Sequence, residues 1–165
     1  MRTGEKRIIA VIIALPLLAV VYQLFQLPQR EEDPGIPFYA AVSPEIKRRA
    51  EHIYAENDCS DCHSLWMVRN MMASVPAPAL DGIGSLRDER WFFEYFSAPD
   101  PQKILPSRLK EEYRMPSYAH LPVEDRQILA AYMAGLKVED WYLEEVRKSE
   151  YEKLTGKPYQ PDQSE

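Results

Sequence analysis

Cys59-Ser60-Asp61-Cys62-His63 contains both cysteines of the chain and one of its three histidines. On a helical turn, thiols three residues apart lie on one face and the imidazole follows at once. Both sulfurs can then add to the vinyl groups of one porphyrin with a histidine beneath its iron, so the run reads as the attachment signature of a single c-type haem. Cys59 and Cys62 would carry the thioether links, and His63 would be one axial ligand. A structural zinc site needs four ligands, and the other histidines, His52 and His120, stand at no zinc-finger spacing. A thioredoxin-like dithiol calls for a βαβ surround, whereas the neighbouring residues read as helix. A plain disulfide between Cys59 and Cys62 is the remaining alternative.

Covalent haem attachment of this kind takes place outside the bacterial cytoplasm, and the N-terminus offers a route there. Ile8 to Leu27 form an apolar run of about 20 residues, enough for a helix to cross a hydrocarbon core of roughly 30 Å. Arg2, Lys6 and Arg7 precede the run, and Glu31, Glu32 and Asp33 follow it. The positive-inside rule therefore predicts a cytoplasmic N-terminus and an outer, periplasmic haem domain on the cytoplasmic membrane. A cleaved signal peptide would have a shorter apolar region and a small-x-small site, and neither is present, which favours an uncleaved single-pass anchor. Pro28 to Val42, with three prolines and Gly35, reads as a linker that spans roughly 50 Å at most and keeps the haem near the membrane surface.

The expected organisation is residues 1–27 as cytoplasmic N-terminus and transmembrane anchor, 28–42 as linker, 43–137 as an all-α haem domain, and 138–165 as a C-terminal extension. Ser43-Pro44-Glu45 opens the first helix of that domain, with Ser43 as N-cap, Pro44 at the first helical position and Glu45 suited to the dipole. Ile46, Ala50, Ile53 and Tyr54 then recur at helical spacing. Ser85-Leu86-Arg87-Asp88 resembles a capping box ahead of a helix bearing Trp91, Phe92, Tyr95 and Phe96, which Pro99 and Pro101 end. A last helix runs from near Pro122 through Ile128, Leu129, Tyr132, Met133 and Leu136 and supplies a partner stripe for the first.

Unless the site is to bind a small molecule, a second iron ligand must come from Met67, Met71, Met72, Met115, Met133 or His120. Met115, followed by Pro116 in an irregular stretch, is free to loop over the far face of a porphyrin and is the expected ligand, with His120 the runner-up. Met133 sits inside a helical pattern, and the three methionines behind the motif are too close in sequence to reach the opposite face. Leu65-Trp66-Met67-Val68-Arg69-Asn70-Met71-Met72 is rich in large apolar groups, some expected in the haem crevice and an exposed remainder expected to form a docking rim.

The residues 50–58 before the motif, Ala77-Pro78-Ala79-Leu80 after it, and Arg114-Met115-Pro116 together make the chain resemble class I cytochrome c over roughly Ser43 to Lys137. The resemblance implies N- and C-terminal helices that cross beside the haem, with Ala50 at the contact. It implies that the Pro78 carbonyl accepts the ring N–H of the proximal His63, which would fix its tautomer. An aromatic at the place of Trp91 can hydrogen-bond a haem propionate in similar proteins, and Arg87, Arg90 and Arg114 are candidate propionate cations.

Acidic side chains outnumber basic ones, 26 to 20, for a net charge of −6, which argues against nucleic acid or anionic lipid headgroups as the main partner. After Lys137 a helix bearing Trp141, Tyr142, Leu143, Val146, Tyr151 and Leu154 is expected to end at Gly156, with an unstructured stretch from Pro158. The tail would pack on its own domain or on a neighbouring subunit, and the sequence favours neither. The implied function is that of a membrane-anchored, noncatalytic electron carrier, a subunit of or close donor to a respiratory or photosynthetic complex. One anchor followed by one such domain is similar to the small cytochrome subunit of bacterial nitric oxide reductases. An independent tethered shuttle is the alternative, and a haem-based gas-binding enzyme or sensor a further one that Met115-Pro116 disfavours.

Overall fold

The computed structural model describes residues 12–22, 35–68, 71 and 75–161, and the chain divides into two compact units, Met1–Ile36 and Pro37–Glu165. In the first unit, residues 12–22 form a helix, α1, with exposed side chains. No helix among the described residues is long and apolar enough to cross a membrane. The ends of the expected span, residues 8–11 and 23–27, lie outside the described residues, as do residues 28–34 of the expected linker.

In the second unit the expected linker ends early, because Phe38–Ala40 form a strand, β1. It pairs antiparallel with β2, Leu136–Val138, in the register Phe38 with Val138 and Ala40 with Leu136. The strand β2 runs through the expected domain boundary at Lys137, and its Leu136 and Val138 are buried. Three-residue strands carry no alternation to read, and their pairing is set by partners far apart in sequence.

Helix α2, Pro44–Glu56, starts where Ser43 Oγ accepts the Ile46 N–H at 3.2 Å. It buries Ala50, Ile53 and Tyr54, a 3-4 spacing that puts one stripe inward. Helix α4, Val123–Gly135, buries Leu129, Ala130, Tyr132 and Met133. Ala50, Ala130 and Tyr132 have no exposed surface and share one core, so small side chains let α2 and α4 approach closely while the tyrosine fills the space beside them. Helix α3, Glu89–Ser97, adds Phe92, Tyr95 and Phe96 to that core. Burying aromatic groups of this size contributes roughly 1.5–3 kcal/mol each, which makes α3 a structural member of the core as well as a wall.

The cap of α3 differs from the expected one. Asp88 is the N-cap, its Oδ1 accepting the Trp91 N–H at 2.8 Å. Ser85 closes a 3-10 turn, Ile83–Ser85, and its Oγ accepts the N–H of Val138. A tertiary partner has taken the serine that local pattern assigns to the helix.

The C-terminal extension packs on its own domain. Helix α5, Leu143–Thr155, buries Val146 and ends at Gly156, whose φ of 70° is the left-handed turn that glycine allows at low cost. The Arg87 guanidinium pairs with Glu150, both largely shielded from solvent, and Arg108 Nε donates to the Lys153 carbonyl at 3.1 Å. The stretch expected to be unstructured continues in contact up to residue 161. The Tyr159 hydroxyl donates to Glu144 Oε1 at 2.6 Å, and its ring meets that of Tyr151 edge-on. Residues 162–165 lie outside the described residues.

Candidate functional site

Helix α2 stops at Asn57, whose side-chain amide donates to the Ile53 carbonyl at 2.8 Å. Asp58 then turns left-handed, at φ 51°, and a 3-10 turn over Cys59–Asp61 follows. The Cys62 and His63 N–H groups both donate to the Cys59 carbonyl, at 3.3 and 3.0 Å, so the five residues close on themselves as one turn. Cys59 and Cys62 are free thiols, half-buried and not bridged to each other. Burial raises the pKa of both; at Cys59 a hydrogen bond with Tyr118 opposes the rise, and at Cys62 the Asp61 carboxylate adds to it. No group of three or more His, Cys, Asp or Glu side chains converges as a metal cage among the described residues.

His63 Nδ1 lies 2.8 Å from the Pro78 carbonyl oxygen. A carbonyl can only accept, so Nδ1 carries the proton and Nε2 is left with a free lone pair. Burial lowers the His63 pKa, with the Pro78 bond opposing it, and the imidazole is neutral at neutral pH. Leu80 N–H donates to the Ser64 carbonyl, and the Tyr54 hydroxyl to that of His63. These bonds hold the segment that follows the motif against the one carrying Pro78.

Cys59, Cys62, His63, Pro78, Trp91 and Met115 all line one cavity of about 280 Å³. Tyr95, Phe96, Leu129 and Met133 extend its apolar wall. Trp91 stacks on Tyr95 with ring centroids 5.0 Å apart, and the Arg87 guanidinium lies over the Trp91 ring at 4.6 Å. The Met115 loop is tied to the end of α3: Gln102 Nε2 donates to the Met115 carbonyl at 3.3 Å and Ser117 Oγ to that of Ala98 at 2.7 Å. His120 is exposed and off the cavity wall. Met67 and Met71 are also exposed, at 71% and 97%, and Met72 lies outside the described residues.

Of the arginines expected near a propionate, Arg114 lines the cavity, Arg87 is committed to Glu150, and Arg90 pairs with Glu94 at the surface. The apolar stretch behind the motif divides as its composition suggests. Leu65 and Trp66 pack on the core, whereas Met67 and Val68 face solvent. Trp66 and Met67 both have left-handed backbone, φ 54° and 60°, and the buried Asp81 carboxylate accepts the Met67 N–H at 3.2 Å.

Sequence reasoning missed Tyr118, which bonds Cys59, and the α5 residues Glu150, Lys153 and Leu154 on the cavity wall. Tyr118 stands three residues after Met115 in the same irregular stretch, a position that could have marked it. The α5 set recurs at 3-4 spacing, but nothing local says what that face covers.

The family model for cytochrome c matches residues 48–137, a segment that begins in α2, contains the motif and ends in β2. The chain belongs to the cytochrome c family. Neither the curated proteins nor the solved structures compared with it include a match. As a cytochrome c it carries covalently bound haem c and is a haem-based electron carrier. The side chains present fit that group. Two unbridged thiols share a cavity with a neutral imidazole whose outward nitrogen is free, a thioether sulfur comes from a separate loop, and aromatic walls suit the porphyrin faces.

Proposed function

We propose that this cytochrome c is a membrane-anchored monohaem carrier that passes single electrons at the outer face of the bacterial cytoplasmic membrane, as a subunit of or close donor to an electron-transfer complex. The observation that carries the reading is the convergence of Cys59, Cys62, His63 and Met115 on one cavity. The haem supplies a one-electron couple at its iron, and Met/His ligation favours a relatively high potential. Cys59 and Cys62 would tether the porphyrin, His63 and Met115 would be the protein ligands of its iron, and the Pro78 carbonyl keeps His63 in the tautomer that leaves Nε2 free to bind a metal. Trp91 and Tyr95 exclude water from the cavity wall.

The apolar run Ile8 to Leu27, with basic residues before it and acidic ones after it, supports the anchor and its orientation. Met67, Val68 and Met71, exposed just beyond the motif, support docking to a redox partner. The tail is occupied on its own domain, so the case for a complex rests on the tether and on this rim.

Expression in a bacterium able to attach haem tests the site. Reduced wild-type protein is expected to show a c-type haem band, and the Cys59→Ala, Cys62→Ala double variant to hold no haem that survives denaturation. Covalent haem in that variant would overturn the reading. Sizing after mild detergent extraction from native membranes tests the role. Migration with other subunits is the expected result, and a lone monomer would make the chain an independent tethered shuttle.

A further inference from the structure

We propose that α5, which lies outside the family-matched segment, completes the haem site by presenting Lys153 as a cation to a haem carboxylate. The proposal rests on the haem reading and deepens it. Glu150, Lys153 and Leu154 all line the cavity, and their 3-4 spacing puts them on one face of the helix. That face is fixed in place. Val146 is buried, Glu150 is paired with Arg87 where both side chains are below one-fifth exposed, and the Lys153 carbonyl accepts from Arg108.

Haem brings two carboxylates on one edge, and a carboxylate taken into a cavity needs a cation or several donors. Among the described residues that line the cavity, the permanent cations are Arg114 and Lys153. Both are joined to one stretch of the wall, residues 107–109, because Arg108 Nε donates to the Lys153 carbonyl and Arg114 Nε to that of Leu109. The Arg114 bond, at 2.7 Å, leaves its terminal nitrogens for a carboxylate, and neither Arg114 nor Lys153 has an ion-pair partner among the described residues. Glu150 would repel a haem carboxylate if it were free. Its pairing with Arg87 offsets that charge, so that Lys153 is the uncompensated charge α5 contributes to the cavity wall.

A cation beside the haem disfavours the more positive ferric state, so its removal shifts the couple toward ferric. Redox titration of the full-length haem-loaded protein tests this in Lys153→Gln, Lys153→Arg and Lys148→Gln. Lys148 is a control on the same helix, paired with Glu145 at 3.7 Å on the exposed side. The expected result is a several-fold shift of the oxidation equilibrium toward ferric in Lys153→Gln, the wild-type value in Lys153→Arg, and little change in Lys148→Gln. An unchanged potential in Lys153→Gln, or an equal shift in Lys148→Gln, would overturn the assignment. Haem lost from Lys153→Gln and kept by Lys153→Arg would support it through retention, and haem lost from both would refute it. Wild-type protein without covalent haem would instead refute the haem site itself, and the inference with it.

Discussion

His63 and Met115 approach the cavity from segments of different character, and the difference decides what each substitution does. His63 is held by the Pro78 carbonyl and by the turn that Cys59 closes. Met115 hangs from a loop tied at Gln102 and Ala98, and a leucine can occupy its volume without binding iron. Met115→Leu is therefore expected to stay folded, to lose the low-spin sixth ligand and to bind carbon monoxide rapidly when reduced; a low-spin spectrum that persists would remove Met115 as ligand. Asp81 makes a different test. Burial raises its pKa above the ordinary 3.8 despite bonds from the Met67 and Trp66 N–H groups, so the fold holds a carboxylate at a cost. That cost is absent below about pH 3.8, where folded and unfolded chains are both protonated. It grows as pH rises through the folded pKa and is complete at neutral pH. Asp81→Asn keeps an oxygen for the Met67 N–H and removes the charge, so it should raise the melting temperature at pH 7, with the gain gone by pH 3. The motif and the place of Met115 on the cavity wall were legible from their immediate neighbours, whereas Pro78 was legible only through the resemblance to class I cytochrome c, since by itself it reads as a loop proline. Asp81 was not, since only the left-handed turn at Trp66 and Met67, fourteen residues earlier, shows what its carboxylate grips.

Between elements, Gly84 in the 3-10 turn before α3 lies tight against the backbone of α4. A Cβ there would stand 2.3 Å from the Ala134 carbonyl oxygen and 2.5 Å from that of Met133. These are backbone atoms in the last turn of α4, and they cannot rotate away as a side chain can. Lys137 Nζ donates to the Gly84 carbonyl as well, which fixes the turn from the other side. Gly84→Ala must push the turn off α4 and is expected to cost about 3 kcal/mol in chemical denaturation, the upper end for overpacking. A loss below 1 kcal/mol would mean that this contact yields. Helix α2 was legible down to its cap because Ser43, Pro44 and the stripe through Tyr54 are all local signals. The start of α3 was misread for the opposite reason: Ser85 satisfies the local pattern, but the N–H of Val138 claims its hydroxyl across the fold, and Asp88 caps in its place. The inward face of α5 was hidden in the same way, since its partners Arg87 and Arg108 lie far back in the chain.

At the scale of the whole molecule, the second unit is closed by chain that precedes the family-matched segment. Pro37 and Ala41 bracket β1, the first accepting from the Glu139 N–H and the second donating to the Gly135 carbonyl, each at 2.8 Å. Val42 lies against Gly135, and the Phe38 ring meets Tyr142 edge-on at 5.4 Å. None of the residues 35–42 lines the cavity. Two shortened chains, each exported behind a cleavable signal peptide so that haem can be attached, separate these roles. One that begins at Gly35 keeps the strand and is expected to melt with the full-length protein. One that begins at Ser43 keeps the capping serine of α2 but loses β1, and β2 with its buried Leu136 and Val138 loses its partner. At about 1 kcal/mol for each backbone bond, together with the uncovered apolar surface, the second chain should be less stable by roughly 3 kcal/mol or more. Its reduced spectrum should still match that of the longer chain at a temperature where both are folded, because the ligands and the cavity wall are intact. Equal melting temperatures would show that the strand pair is an ornament of the fold, and an altered spectrum would show that it reaches the haem.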